Sequence, residues 1–244
     1  MFLAAVFLVA VVSGATASIA GFGIGSLLTP LLATQFGMET AVAAVAVPHA
    51  AATTLRWWRL RHAVDRAVIR RFGLLSAAGG LAGALLYARF SGRTITLILG
   101  LLLIVTSVAA ITEWNTRWTP HGWVVSGTGL LSGLFGGLAG NQGGLRAAAM
   151  LSFSLTPIAY VATSTATGLL VDVARTPIYL WRAGPELLGL YQPLGVATVG
   201  VLIGTLLGER VLLGIPPKRF RMIVGAVIGA LGVWIVAQAV SSAT

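Results

Sequence analysis

The sequence predicts an all-α polytopic membrane protein made of two inverted repeats, each with a glycine-broken helix near its start, and about 8 to 10 hydrophobic segments in total. Three observations carry this. Of 244 residues, 57% are hydrophobic and only 9% charged, mean hydropathy is +0.93, and the charges fall mostly between long apolar runs. The strand-length alternation of an outer-membrane barrel is absent. Secondly, Ser132 to Ala149 sets six glycines, Asn141, Gln142 and Arg146 inside an apolar run. Each glycine costs roughly 1 kcal/mol against alanine in a helix interior, so the helix is expected to break there. Thirdly, Ser13-Gly14 to Gly25 lies over Ser132-Gly133 to Gly144 without a gap, at an offset of 132 − 13 = 119 residues. Arg56 and Arg175 keep that offset. Further on, with a slip of two, Gly83-Ala84-Leu85-Leu86 lies over Gly204-Thr205-Leu206-Leu207 and Arg89 over Arg210.

The first repeat is assigned to residues 1–112, a linker to 113–121 and the second repeat to 122–244. In the first, a helix over Phe2 to Ala20 breaks at Gly21-Phe22-Gly23-Ile24-Gly25 and a short helix continues to about Phe36. The opening run lacks a basic leader and continues into the repeat, so it reads as a mature helix rather than a cleaved signal. Thr40 to Leu55 follows, interrupted at Pro48-His49, and then a basic loop with Arg56, Arg59, Arg61, Arg66, Arg70 and Arg71. Phe72 to Phe90 and Thr94 to Thr112 have the length of a membrane span and form a hairpin around Ser91-Gly92. The second repeat follows the same plan: Gly122 to Ala139, the break, Leu145 to Leu155, and Pro157 to Val173. After these come a loop from Arg175 to Gln192, a span to about Leu207, a basic turn with Lys218, Arg219 and Arg221, and a last span to about Ala239.

Charge sets the orientation. If each repeat crosses an odd number of times, residues 56–71 and 210–221 share one side with ten basic residues, against four on the other (Arg89, Arg93, Arg175, Arg182). Parallel repeats give eight against six. The positive-inside rule selects the inverted arrangement, with both termini outside the cytoplasm. The same rule accounts for the net charge of +10 without a nucleic-acid partner.

Other classes are argued against by what the chain lacks. With no cysteine, three histidines and six acidic residues, neither a disulfide nor a metal centre is expected, and no cofactor is. Catalysis would have to come from Ser26, Ser132 or a threonine with His49, and no G-x-S-x-G, H-E-x-x-H or aspartyl pair accompanies them, so the chain reads as no enzyme. No P-loop is present either, so active transport would draw on an ion gradient or a partner.

G-F-G-I-G-S-L-L-T-P-L-L (Gly21 to Leu32) and S-G-L-F-G-G-L-A-G-N-Q-G-G (Ser132 to Gly144) resemble the paired signatures of the TauE/SafE sulfite exporter family, and the resemblance extends over nearly the whole chain. In the first motif Ile24 replaces a glycine; in the second, Asn141-Gln142 interrupts the glycine run and Ala149 stands where a proline is usual. The resemblance implies a multi-pass carrier of the bacterial-type inner (plasma) membrane. Its substrates would be small organic or sulfur-containing anions such as sulfite, sulfoacetate or other sulfonates.

Paired broken segments are where a secondary transporter binds its substrate near the bilayer midplane. Half-helices starting near Gly25 and Gly144 would point two N-termini at an anion. The expected substrate-binding set is therefore Gly21, Gly23, Gly25, Gly140, Asn141, Gln142, Gly143, Gly144, Arg146, Thr163 and Thr167. The glycines could instead serve close helix packing. Arg146 either binds the anion or pairs with Asp172 or snorkels, and the hydroxyls of Thr163 to Thr167 either line the cavity or bond their own backbone. Gating or coupling candidates are His49, Asp172, Arg175 and Arg56, with protons the candidate coupling ion. Asp172 and Arg175, three apart, can pair on one helical face, and His49 can equally be a packed histidine. An anion channel, a membrane scaffold and, more remotely, an intramembrane hydrolase are the alternatives to a carrier.

Overall fold

The structure is a computed structural model and describes residues 1–86, 100, 101, 104, 107, 108, 111, 112, 123–139 and 143–241. Among the described residues it is all-helical, without strands. The Ser91-Gly92 turn and the linker at 113–121 lie outside the described residues, as do Gly140, Asn141 and Gln142 of the second motif.

Helix α1, Phe2–Ala20, ends where the glycine cluster predicts. Gly21 closes it at φ 80°, a left-handed cap whose N–H bonds the Ala17 carbonyl at 3.0 Å. Gly23, at φ 137°, opens α2, Ile24–Phe36. Both conformations are nearly closed to residues with a Cβ. The chain reverses between them, for the Phe36 ring at the end of α2 stacks edge-on against Phe2 at the start of α1, with centroids 5.8 Å apart. The first break is thus the tip of a helical hairpin.

Helix α3, Met38–Leu60, runs through Pro48 without the expected interruption. A proline costs one helical hydrogen bond, a loss that a helix packed among neighbours tolerates, and Pro48 is buried in a helix that α2 and two later helices enclose. The basic stretch that follows is shorter as a loop than predicted. Arg61–Ala63 forms a 3-10 turn, and the next helix, α4, Arg66–Leu86, already contains Arg66, Arg70 and Arg71. The carboxylate of Asp65 caps it, accepting from the N–H groups of Ala67 at 2.8 Å and Val68 at 3.0 Å.

In the second half, α5 is Trp123–Ala139 and α6 is Gly143–Met150, the latter ending five residues earlier than expected. Helix α7, Pro157–Leu188, corrects the largest misreading. Thr156 caps it and Pro157 sits at its first position, as sequence rules require. It then continues through Arg175, Pro177 and Pro185, where a loop from Arg175 to Gln192 was expected. Arg175 read as a loop charge, but it is buried because Asp172, one turn earlier, supplies its counter-charge. Helices α8, Tyr191–Leu212, and α9, Pro217–Ser241, complete the chain. By length and apolarity α1, α4, α7 and α8 can each cross a membrane, and several shorter apolar helices accompany them.

Packing is reciprocal between the halves: α1 lies along α8, α4 lies along α5, and α3 faces α7 at the centre. Glycines set both tight seams. A Cβ on Gly14 would strike the Val201 carbonyl and the Thr205 nitrogen, and one on Gly208 the Ala15 carbonyl. On the other seam, Gly133 meets the Ser76 carbonyl and Gly137 the Gly80 carbonyl. These glycines do serve close packing, backbone on backbone. Gly143 also meets the side chain of Phe22, which seats the start of α6 against the first hairpin tip.

Candidate functional site

The centre of the molecule is a buried cluster of charges on α3, α6 and α7. Along α7 the residues Ser164, Gly168, Asp172 and Arg175 follow one another at spacings of four, four and three, so they share one helical face. From α3 the residues His49, Thr53 and Arg56 approach that face, and from α6 Arg146.

Asp172 is the hub. Its Oδ1 accepts from Arg175, Nη2 at 3.0 Å and Nε at 3.2 Å, and its Oδ2 lies 2.6 Å from Nδ1 of His49. The predicted one-turn pair of Asp172 and Arg175 is therefore present, with His49 added from α3. Arg175 also donates from Nη1 to the Gly136 carbonyl on α5 at 2.8 Å, and the Tyr179 hydroxyl donates to the Gly137 carbonyl at 2.9 Å. Arg56 donates from Nη1 to the Ala17 carbonyl on α1 at 2.6 Å.

Arg146 makes neither of its alternative structural contacts: it is buried rather than snorkelling, and it forms no ion pair with Asp172. Its Nε donates to Oγ of Ser164 at 3.0 Å and its Nη2 to the Gly21 carbonyl at 3.2 Å, while Ser164 donates to that same carbonyl at 3.1 Å. Gly21 ends α1, so the guanidinium sits at the negative pole of a helix dipole. Gly168 leaves room for it, since a Cβ there would lie 3.0 Å from Nη1.

The charges do not cancel. Arg56, Arg146 and Arg175 are 2–3% exposed, and Asp172 is the single carboxylate among them. Glu209, the other buried acid among the described residues, pairs with Arg59 at 2.5 Å, at the end of α3. A buried charge is retained where it is paired or where it binds something. Two guanidinium nitrogens, Nε of Arg56 and Nη1 of Arg146, are buried without a hydrogen bond among the described residues. Arg56 lies within electrostatic reach of both Arg146 and Asp172.

Of the other predicted site residues, Gly21 and Gly23 form the hairpin tip and Gly25 is buried in the first turn of α2. Gly143 and Gly144 open α6, also buried. Thr163 and Thr167 lie on a neighbouring stripe of α7. Thr163 accepts the Asp65 N–H at 2.9 Å, and the Thr167 hydroxyl faces Gly73 of α4. Ser164 and Gly168 belong to the polar run at 163–168 that the sequence offers as cavity lining, whereas Phe22 and Tyr179 were not singled out as site residues. Counting back by four from Asp172 finds the first two. The others act on backbone atoms, which leave no pattern of side-chain types.

This arrangement can hold an anion: converging guanidiniums with donors to spare, two glycine-lined helix starts without side chains to block approach, and, among the described residues, no opposing carboxylate beyond Asp172. The described residues contain no group of His, Cys, Asp and Glu suited to a metal ion.

A family model described as "Sulfite exporter TauE/SafE" matches residues 6–235. No curated protein and no solved structure matches the chain. Since that match spans all but the ends of a helical, strongly apolar chain with a buried basic centre, the protein belongs to the TauE/SafE sulfite exporter family of membrane transporters.

Proposed function

We propose that this protein is a secondary transporter of small organic or sulfur-containing anions, such as sulfite, sulfoacetate or other sulfonates, in a bacterial-type inner membrane. The observation that carries this is the excess of buried positive charge: three guanidiniums against one carboxylate, with Nε of Arg56 and Nη1 of Arg146 both unbonded among the described residues. In a medium of low dielectric such a centre gains by taking an anion. The substrate sits near the bilayer midplane, between the hairpin tip at Gly21 to Gly23 and the start of α6. Arg146 and Arg56 supply charge-assisted hydrogen bonds, and the glycines allow close approach.

Two inverted repeats supply the alternating access. Supporting this, α1 pairs with α8 as α5 pairs with α4, and Arg56 and Arg175 bond carbonyls that keep the 119-residue offset. The Arg59 to Glu209 ion pair joins the ends of α3 and α8, which favours one common side for the basic segments at 56–71 and 210–221. That side is the cytoplasm.

The experiment is a ligand-shifted melting curve over sulfite, sulfoacetate, taurine, lactate and phosphate. An anion present at about 100 times its Kd stabilises the folded protein by about 2.7 kcal/mol. A shift with sulfite or sulfoacetate and none with zwitterionic taurine is expected; no shift with any anion overturns the reading.

A further inference from the structure

We propose that His49 is the coupling-proton site of this carrier: its Nε2 binds a proton together with the anion, so that the two cross the membrane as one load. The inference rests on the anion-carrier reading and adds the coupling ion, the atom that binds it and the sign of the coupling.

The hydrogen bonds fix where the imidazole proton resides. Oδ2 of Asp172 lies 2.6 Å from Nδ1, and an ionised carboxylate only accepts. Thr53 Oγ1 lies 3.2 Å from the same nitrogen. Its own proton is donated to the His49 carbonyl, so toward the ring it too is an acceptor. Both neighbours of Nδ1 therefore call for an N–H there, and the neutral ring keeps its lone pair on Nε2. Nε2 has no hydrogen bond among the described residues, and the His49 side chain is 12% exposed where Asp172 is 2%, so the ring is the more open member of the pair. A proton from solution adds to Nε2 without breaking any contact at Nδ1.

Every charge facing the ring is known among the described residues. Asp172 and Arg175 face it from α7 and Arg146 from α6, while Arg56 is one turn beyond Thr53 on α3 itself. Helices α1 and α2 carry no titratable side chain, and neither does α5. At the ends of α3 and α8 the buried acid Glu209 is occupied by the exposed Arg59. With His49 neutral the cluster of Arg56, Arg146, Arg175 and Asp172 carries two excess positive charges, and a proton on His49 makes three. The protonated state holds an anion more tightly, and a bound anion favours the proton by the same factor, because linkage is reciprocal. Proton and anion thus help one another, the signature of co-transport rather than exchange. Asp172 relays this to the framework, for it ties His49 on α3 to Arg175, which is anchored on α5 through Gly136.

The test uses the purified full chain and sulfoacetate, whose sulfonate and carboxylate both stay ionised between about pH 6 and about pH 8, so any pH dependence belongs to the protein. In wild type, sulfoacetate affinity is expected to weaken as pH rises across this window, approaching tenfold per pH unit where one proton binds with each anion. His49→Asn, which keeps an N–H donor toward Asp172 but has no second ring nitrogen, is expected to lose that slope. In proteoliposomes with trapped pH dye and clamped potential, an inward sulfoacetate gradient should acidify the lumen through wild type but not through the variant. Binding in wild type with no pH dependence overturns this inference and leaves the anion-carrier reading standing, a result that needs no variant to fold. A slope that survives in His49→Asn or His49→Gln also overturns it. No sulfoacetate binding at any pH removes the anion-carrier reading and this inference together.

Discussion

Arg56 and Arg175 each reach back 39 residues to a backbone carbonyl, Arg56 to Ala17 and Arg175 to Gly136. Donors and acceptors alike are 119 residues apart, so each guanidinium clamps the helix before the glycine break in its own half. The two clamps differ in one respect: Arg175 has Asp172 as a counter-charge, whereas Thr53 stands at the matching place before Arg56. The asymmetry leaves Arg56 with a spare donor and concentrates the ion pairing on α7.

Arg146→Ala is expected to weaken sulfoacetate binding by roughly tenfold to a hundredfold, the value of a charge-assisted hydrogen bond of about 1.5–3 kcal/mol. Arg146 is bonded to Ser164 and Gly21 and not to Asp172, so adding Asp172→Ala should restore neither affinity nor folded yield. Calorimetric titration and monodisperse yield on both variants decide this, and wild-type affinity in a stable Arg146→Ala protein would end the anion-ligand role.

Asp172→Asn should be among the most destabilising single changes in the chain. It strips Arg175 of its counter-charge, and breaking a buried pair costs about 3–5 kcal/mol. A thermal melt in detergent should show the fall at all pH values where the wild-type carboxylate is ionised; an unchanged midpoint would mean that the pair contributes no stability.

Glycine substitutions divide by seam. Gly133→Val and Gly14→Val drive a side chain into the backbone of the neighbouring helix and should cost at least about 1–3 kcal/mol, read as lost monodisperse protein. Gly127→Ala, with open space around it, should be neutral or stabilise by about 0.5–1 kcal/mol. Gly143→Ala is different in kind, because it presses on Phe22 at the hairpin tip and should remove transport from protein that still folds.

Topology is tested in this cysteine-free chain by single cysteines at Arg61 and Arg182 and an impermeant thiol reagent. Opposite-side labelling is expected. Labelling from the same side would contradict the inverted arrangement.

What the sequence revealed and what it hid have separate causes. Gly21 and Gly23 were legible because positive φ is a property of the residue itself, and the pairing of Asp172 with Arg175 because helical spacing is local. The length of α7 was not. Pro177 and Pro185 are helix breakers by local rules, and only burial beside Asp172 explains why Arg175 stays inside the helix. The charge tally for orientation consequently counted two residues, Arg56 and Arg175, that are buried in the bundle rather than lying in loops. The partners of Arg146 were beyond reach for another reason: the Gly21 carbonyl, 125 residues away, is a backbone atom, and every residue has one.

The glycine seams have a consequence for how the chain is made. Helix α1 leaves the ribosome well before α8, yet the surface that closes over Gly14 belongs to α8, which begins at Tyr191. Until that helix is synthesised, the bare backbone groove of α1 lacks its partner, while α4 and α5, nearer neighbours in the chain, can close on each other earlier. The α4–α5 seam is thus complete in the nascent chain before the α1–α8 seam can form. A nascent chain halted before Tyr191 carries every basic side chain of the central cluster but lacks the wall that shields its first hairpin.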